Sequence, residues 1–370
     1  MFKFKNYDFK RYNISLLIVV TVLISIGVFL IKQVKPDDYK KQILGLIGGL
    51  AIAGIVSLID YHFICKLYIV LYLINLVLLV LVKLIGVEYY NAQRWLDLEF
   101  FDLQPSELTK IILIIFFAKL FTMFEHRINN AIFLLIAIIL MAIPTFLILT
   151  QTDLSTSIVL MMVFVMLVFA AGLSWKVILP ILIVGIPSVI GLFWYVQQDY
   201  QLLLSDNQQQ RILSILNPEA YPGTMYQQDN SIQAIGSGQL IGKLFENGES
   251  SIRGYKHVPI AESDFIFSVA GEEFGFIGSL FILLLFAFII YKCLSTARIA
   301  SDRMGTLIAI GLSSMFAFQV FVNIGVVTSL LPNTGIPLPF LSQGLSSLIS
   351  SMAAIGLILN IRLQPKKSKR

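Results

Sequence analysis

The sequence predicts an all-α protein that crosses a membrane with about ten helices. Hydrophobic residues make up 57% of the 370 residues and charged residues only 13%, whereas a soluble domain carries about 25% charged residues. Leu, Ile, Phe and Val supply most of the excess, as helices that face lipid require. This composition argues against a soluble enzyme, and nothing in it indicates nucleic acid as a partner.

Ten apolar runs are each long enough, or nearly so, to cross the hydrocarbon core as a helix, which takes roughly 20 residues. They cover residues 14–32, 43–59, 66–86, 107–123, 131–150, 156–173, 177–196, 265–291, 305–330 and 343–361. The first run follows a basic tail, but it is long and no small-residue cleavage site follows it, so we expect a retained helix. We expect residues 1–370 to form a single membrane domain.

The distribution of Lys and Arg predicts the orientation, because cytoplasmic loops are enriched in both residues. The basic residues at the two ends are Lys3, Lys5, Lys10, Arg11, Arg362, Lys366, Lys367, Lys369 and Arg370. We therefore expect a multi-pass protein of the bacterial plasma membrane with both termini in the cytoplasm. The first outer loop is itself unusually basic, which makes the bias moderate. Its lysines are Lys32, Lys35, Lys40 and Lys41.

Two outer segments differ from ordinary connections. Residues 88–107 mix aromatic, acidic and amide residues with Arg94 and Trp95. Residues 197–263 form a long polar segment between the seventh and eighth spans, whereas helices in bundles are usually joined by about 2–8 residues. We expect turns and short helices in this segment, and loops of such length commonly carry function.

Asp264 stands directly before the eighth span, in the stretch ESDFIFSVAGEEFGFIG. One interpretation is a helix N-cap, which Ser263 could provide equally well. On a helical wheel Ser268, Gly271 and Gly275 fall on the Asp264 side, so another helix can approach closely there or a cavity can open. The other interpretation is a general base whose pKa is tuned by its surroundings. Helical geometry leaves both open.

Glu107 and Lys110 lie on one face of the predicted fourth span, which Pro105 begins. They form either an ion pair within the helix or, together with Arg94, a basic site on the outer side that can meet a pyrophosphate. The spacing favours neither alternative.

Three further carboxylates are candidates for structural or cavity-lining roles. Asp153 falls in a short turn of the stretch QTDLST, where capping is the default interpretation. Glu272 and Glu273 lie deeper in the eighth span, and we expect them to hold helices or loops through hydrogen bonds. The histidines are far apart and the cysteines lack a ligand cluster, so no metal site is predicted.

Five motifs occur in one order along the chain: QRWLDLEFFDLQPSELTK, QTDLST, AIGSGQLIGK, ESDFIFSVAGEEFGFIG and LLPNTGIPLPFLSQGLSS. Together with the number of spans and the long loop before DFIF, they resemble the shape, elongation, division and sporulation (SEDS) family, which includes RodA, FtsW and SpoVE. The short tails look most like RodA. The resemblance covers nearly the whole chain.

This resemblance implies a peptidoglycan glycosyltransferase that polymerises lipid II into glycan strands at the outer membrane face, for cell-wall synthesis in cell shape or division. Lipid II is a disaccharide-pentapeptide on an undecaprenyl pyrophosphate carrier. The usual partner is a class B penicillin-binding transpeptidase. The alternatives are a lipid II flippase, since intramembrane charge is typical of carriers, and a non-catalytic scaffold for the transpeptidase.

The resemblance also implies roles for single residues. The Asp of the family's DFIF motif is catalytic and matches Asp264, which would remove the proton from the acceptor's sugar hydroxyl. Arg94, Lys110 or a divalent cation (Mg²⁺ or Mn²⁺) would neutralise the leaving pyrophosphate, and Glu107 would orient Lys110. Arg211 precedes LNPE as in the family and is expected to face the cavity.

Overall fold

A computed structural model of the protein describes residues 7–89, 92–97, 102–198, 200–202, 206–244 and 253–364. These residues form α-helices, a few short 3₁₀ helices and one small sheet. The α-helices are α1 Ile14–Val34, α2 Tyr39–Leu58, α3 Tyr61–Lys66, α4 Tyr68–Ile85, α5 Pro105–Met123, α6 Ala131–Thr150, α7 Leu154–Ala170, α8 Trp175–Val196, α9 Asp206–Leu216, α10 Pro222–Ser237, α11 Ile266–Ile299, α12 Arg303–Val327 and α13 Leu345–Leu363.

The predicted all-α membrane fold is confirmed. Within the described residues, seven helices are long and apolar enough to cross a membrane, namely α1, α2, α4, α6, α11, α12 and α13. Helix α7 is apolar but shorter, and α5 carries Glu107, Lys110 and Lys119. Each expected span overlaps one long helix, and the span 131–150 coincides with α6. Most other ends differ in either direction, because hydropathy follows apolar composition and does not mark where a helix begins or ends. Helix α11, for example, extends to Ile299 and not to residue 291.

A small antiparallel sheet lies between α4 and α5, where the sequence predicted an unusual connection but no strands. Its strands are β1 Val87–Tyr89, β2 Ala92–Asp97 and β3 Asp102–Leu103, in the order β1-β2-β3. The pairings are too short to give a clear alternating pattern in the sequence. The side chain of Gln93 donates to the carbonyl of Gly86 at 2.8 Å, which joins the sheet to the end of α4. Strand β2 thereby positions Arg94.

Helices α12 and α13 form the centre of the bundle. Most of their residues are buried, and α12 packs against α5, α7, α11 and α13. Both helices carry buried polar side chains, such as Gln319 and Asn323 of α12, and polar residues within membrane spans face other helices and not lipid. Outer helices instead expose large apolar side chains such as Leu44, Leu84 and Ile132, as lipid-facing surfaces do.

At the end of the bundle where α11 finishes, His62 joins two helix connections. Its Nδ1 lies 2.7 Å from Asp60 Oδ1 and its Nε2 lies 3.0 Å from Asp302 Oδ2. The hydroxyl of Tyr61 also donates to Asp302, at 2.8 Å. The hydrogen bond with Asp302 and the contact with Asp60 raise the pKa of His62 above its ordinary value, although partial burial opposes them. The protonated ring therefore ties the α2–α3 turn to the α11–α12 turn.

We predict that stability falls as pH rises through the folded pKa of His62. A group whose pKa is higher in the folded state stabilises the protein fully at pH values below its unfolded pKa, about 6.5 for His. This stabilisation is lost above its folded pKa. Because the group is partly exposed, the midpoint of thermal unfolding in detergent should fall by only about 1–3 °C between pH 6 and pH 9. His62→Gln should lose this dependence, whereas variant His126→Gln, at an exposed position, should keep it. The prediction fails if wild type and His62→Gln respond alike.

Candidate active site

Asp264 lies in a turn, residues 261–265, that precedes α11. The interpretation as an N-cap is wrong, because α11 begins at Ile266 and no side chain caps it. Ser263 donates its hydroxyl to Asp264 Oδ1 at 3.2 Å instead. The side chain of Asp264 is half-buried, so the carboxylate sits at the edge of the bundle.

Helix α12 holds this turn through the side-chain amide of Asn323. Its Nδ2 donates to the carbonyl of Asp264 at 2.8 Å and to the carbonyl of Ile336 at 2.7 Å. One buried amide thus joins the turn to the loop between α12 and α13. We name residues 331–344 of that loop the proline loop.

The proline loop makes two further bonds to the same turn. Ser342 donates its hydroxyl to the carbonyl of Ser263 at 2.6 Å. The main-chain amide of Gln343 donates to the carbonyl of Glu262 at 2.9 Å. The turn is therefore fixed through three consecutive main-chain carbonyls, 262–264.

The Asp264 carboxylate lies against Gly335 of the proline loop. A Cβ atom added to Gly335 would stand 3.1 Å from Asp264 Oδ2, and the φ of Gly335 is +67°. On this segment the carbonyl of Thr334 accepts a hydrogen bond of 2.7 Å from the hydroxyl of Ser155. Ser155 also donates to Asp153 Oδ1 at 3.3 Å. Residues 334–335 therefore connect Asp264 with Asp153.

Asp153 caps α7 and gathers side chains from two other elements. Its Oδ1 accepts from the amide of Thr156 at 3.1 Å, as the default interpretation expected. Its Oδ2 accepts from the hydroxyl of Ser106 at 3.3 Å. Arg94 Nη1 lies 4.0 Å from Asp153, while its other nitrogens donate to the carbonyls of residues 151 and 152. Sequence-distant groups thus meet at the beginning of α7.

Glu107 and Lys110 form a buried ion pair in the first turns of α5. Lys110 Nζ lies 2.8 Å from Glu107 Oε1, and each side chain is only 2% exposed. The ion-pair alternative is therefore present in the structure. As placed, the charge of Lys110 is directed to Glu107, and Arg94 donates to main-chain carbonyls. Contact of either cation with a pyrophosphate stays a prediction.

Glu272 and Glu273 bind the connection that follows α10. Glu272 accepts from Lys243 Nζ at 2.5 Å and from the amides of residues 254 and 255 at 2.8 Å. Glu273 lies 3.1 Å from Arg253 Nε. Just beyond, Gly275 has a φ of +65° and interrupts α11, and a Cβ there would meet a main-chain nitrogen at 2.3 Å. Only glycine permits this close approach of two main chains.

The small residues that follow Asp264 contact α10. Ser268 Oγ lies 2.7 Å from Ser231 Oγ, and a Cβ on Gly271 would stand 3.0 Å from Ile235. Of the two expected uses of this face, close approach of another helix is the one observed. Arg211 lies in α9, and its side chain falls outside the part of the chain that the structure describes.

Sequence reasoning missed Asn323, Ser155 and Ser342, which hold or adjoin the Asp264 turn. Asn323 gave a usable signal, since a polar residue within a span normally has a partner there. The two serines gave none, because small hydroxyl residues are common in membrane helices and loops.

Residues 9–367 match the family model FTSW_RODA_SPOVE, described as a cell cycle protein. The chain belongs to this family. The predicted SEDS resemblance is thereby confirmed.

Several relatives cover most of the chain. It is 35% identical over 373 residues to a probable peptidoglycan glycosyltransferase FtsW of Trichlorobacter lovleyi, covering 96% of this chain and 94% of that protein. It is 37% identical over 299 residues to the peptidoglycan glycosyltransferase MrdB of Escherichia coli K12, covering 80% and 78%. A chain from a solved peptidoglycan synthase complex matches with a TM-score of 0.80, 28% identity and coverage of 95% and 97%.

The described residues offer few side chains that could together ligate a metal ion. Among the described residues, no group of three or more His, Cys, Asp and Glu side chains could hold a metal ion. The divalent cation that the resemblance implied therefore lacks a set of three such protein ligands in this part of the chain.

We predict that breaking the Glu107–Lys110 pair on one side destabilises the protein. Glu107→Gln leaves the ammonium of Lys110 buried without its counter-charge, which typically costs about 3–5 kcal/mol. The double variant Glu107→Gln/Lys110→Met removes both charges and should recover most of this loss. Unfolding in mixed micelles with increasing SDS measures the difference.

The matched control for that experiment is Glu125→Gln, which breaks an exposed pair with Arg303. Exposed pairs contribute about 0–1 kcal/mol, so this variant should unfold close to wild type. A Glu107→Gln protein as stable as Glu125→Gln would contradict a structural role for the pair.

Proposed function

We propose that this chain is a peptidoglycan glycosyltransferase that polymerises lipid II, with Asp264 as the general base. Family membership and relatives named as peptidoglycan glycosyltransferases support the activity. The observation that carries the role of Asp264 is its half-buried carboxylate on a turn held by three main-chain carbonyls. A base must be positioned before it can act, and this turn positions one.

The proposed step is a displacement at the donor's anomeric carbon. Asp264 takes the proton of the acceptor's sugar 4-hydroxyl while that oxygen forms the new glycosidic bond. The bond from the anomeric carbon to the pyrophosphate oxygen breaks, and the lipid pyrophosphate leaves with the electron pair. This leaving group needs little protonation, so one carboxylate is sufficient. Glycosidases, in contrast, use a pair of carboxylates.

Positive charge near the leaving pyrophosphate would stabilise the developing negative charge. Arg94 is the best candidate, because Asp153, Ser155 and Gly335 connect it with Asp264 in a continuous set of contacts. Lys110 requires a rearrangement of its pair with Glu107 before it can serve. No step of this proposal uses a divalent cation.

The site is proposed to face the outer side of the membrane, with both termini in the cytoplasm. The basic ends of the chain support this orientation. A class B penicillin-binding transpeptidase is the proposed partner. The similar chain in a complex that coordinates polymerization and crosslinking supports an assembly of this kind.

We predict that Asp264→Asn lowers polymerisation by about 10²–10⁴-fold, the usual contribution of a general base. The neutral amide has nearly the same shape, so the folded protein should keep its thermal stability. The measurement is the rate of glycan-strand formation from fluorescent lipid II by the full chain together with a transpeptidase partner.

Asp229→Asn is the control, because Asp229 is an exposed acid on α10, and it should polymerise at the wild-type rate. Strands made by Asp264→Asn at the wild-type rate would remove Asp264 from the reaction. A wild type that transports lipid II but makes no strands would favour the flippase. The scaffold would be favoured if no glycan strands form, and if crosslinking by the transpeptidase depends on the presence of this chain but not on which residue occupies position 264.

A further inference from the structure

An apolar cavity of about 410 Å³ lies between α1 and the interrupted beginning of α11. We name it the α1–α11 cavity. Its lining residues are Thr21, Val22, Ser25, Ile26, Phe29, Leu244 and Phe274. The volume lies within the range of about 300–1,000 Å³ that ligand sites usually show. The cavity is separate from the Asp153 and Asp264 contacts described above.

The walls of the cavity suit a hydrocarbon chain. The hydroxyl of Ser25 donates to the carbonyl of Thr21 at 2.8 Å, so α1 itself satisfies this polar group. The rings of Phe29 and Phe274 stack with centroids 5.8 Å apart and form one wall. Val22 is exposed beside them, which leaves the cavity open towards the lipid side of α1. Within membrane spans, an open apolar cavity is filled by a chain and not by water.

Positive charge stands above the cavity at the end of α1. Ser25, Phe29 and Lys32 are spaced by four and three residues, so they share one face of the helix. Lys32 is exposed. One turn later Lys35 Nζ lies 2.9 Å from Asp38 and 3.5 Å from Glu262, two residues before Asp264. A rim of lysines and carboxylates therefore extends from the cavity to the Asp264 turn, and within it the charge of Lys35 is paired with Asp38 and Glu262.

We infer that the α1–α11 cavity binds the isoprenoid chain of a lipid-linked saccharide, whose phosphate contacts Lys32. The inference rests on the proposed function, since the rim leads to the candidate base. Moving a hydrocarbon chain from the bilayer into an apolar cavity gains little free energy, because lipid tails are equally apolar. The phosphate contact at Lys32 supplies the binding, and the aromatic wall selects the shape of the chain.

Photocrosslinking tests this site directly. The full chain is reconstituted in phosphatidylcholine vesicles with either of two probes at equal mole fraction. One probe is undecaprenyl pyrophosphate with a diazirine in its chain, and the other is phosphatidylglycerol with a diazirine in one acyl chain. Mass spectrometry of the digested protein locates the label. The isoprenoid probe should label residues 14–34 and the peptide containing Phe274 more strongly than the phosphatidylglycerol probe.

Val22→Phe fills the cavity and should reduce this labelling by about fivefold or more, equivalent to about 1 kcal/mol. Val77→Phe makes the same change on the exposed face of α4 and should leave labelling unchanged. Lys32 Nζ lies 5.6 Å from the centroid of the Tyr39 ring, so Lys32→Gln removes this contact together with the charge. It should raise KM for lipid II about fivefold with little change in kcat. Lys32→Arg should restore KM, because the charge is what matters.

Equal labelling by both probes would mean that the cavity accepts any membrane lipid and would overturn the inference. Isoprenoid labelling that maps to other helices would also overturn the inference. The same holds if Val22→Phe leaves the labelling unchanged. Photolabelling reports binding and requires no catalytic turnover, so the same measurement is made on the Asp264→Asn protein. Labelling of α1 without polymerisation by wild type therefore contradicts the proposed function alone, whereas normal polymerisation without labelling of α1 contradicts the cavity assignment alone.

Discussion

Three consecutive main-chain carbonyls, 262–264, are the acceptors on which the candidate site depends. Each receives a hydrogen bond from α12 or the proline loop, through Gln343, Ser342 and Asn323 respectively. These three bonds use the main chain, whereas the Asp264 carboxylate accepts from the Ser263 hydroxyl. Because the donors are short side chains or main chain, little conformational entropy is lost when they hold the turn. Hydrogen bonds to the main chain therefore set the position from which the Asp264 side chain acts.

The proline loop can serve as this support because it is stiff and itself anchored. Its prolines have fixed φ and no amide hydrogen, which limits alternative conformations. Gln42 of α2 donates to the carbonyl of Ser342 at 3.1 Å, and Gln343 donates to Asp38 at 3.0 Å. The loop thus joins α12, α13 and the α1–α2 connection around the Asp264 turn. Lys35 lies in the same connection and Lys32 in the last turn of α1, so one framework would hold the substrate chain and the candidate base.

The sequence predicted much of this fold, since apolar runs mark every long helix. It did not predict the sheet beside Arg94, whose strands are shorter than a periodic signal needs. It also left the role of Asp264 open until motifs were considered, because a residue before a helix can be a cap in any protein. In the structure Ser263 is bonded to Asp264 and α11 has no side-chain cap, which excludes the cap, while the catalytic role of Asp264 is a proposal. The meeting of Arg94 with Asp153 depends on tertiary packing that spacing along the chain cannot reveal.

The most direct test of the central claim compares two buried amides on α12 that lie one turn apart. Asn323→Leu removes both bonds to the turn and the proline loop and should lower kcat for glycan polymerisation by about tenfold or more, because a small misplacement of the base is costly. In the part of the chain that the structure describes, Gln319 has no hydrogen-bond partner for its side chain, so Gln319→Leu should keep the wild-type kcat. A folded Asn323→Leu protein that polymerises at the rate of Gln319→Leu would contradict the account.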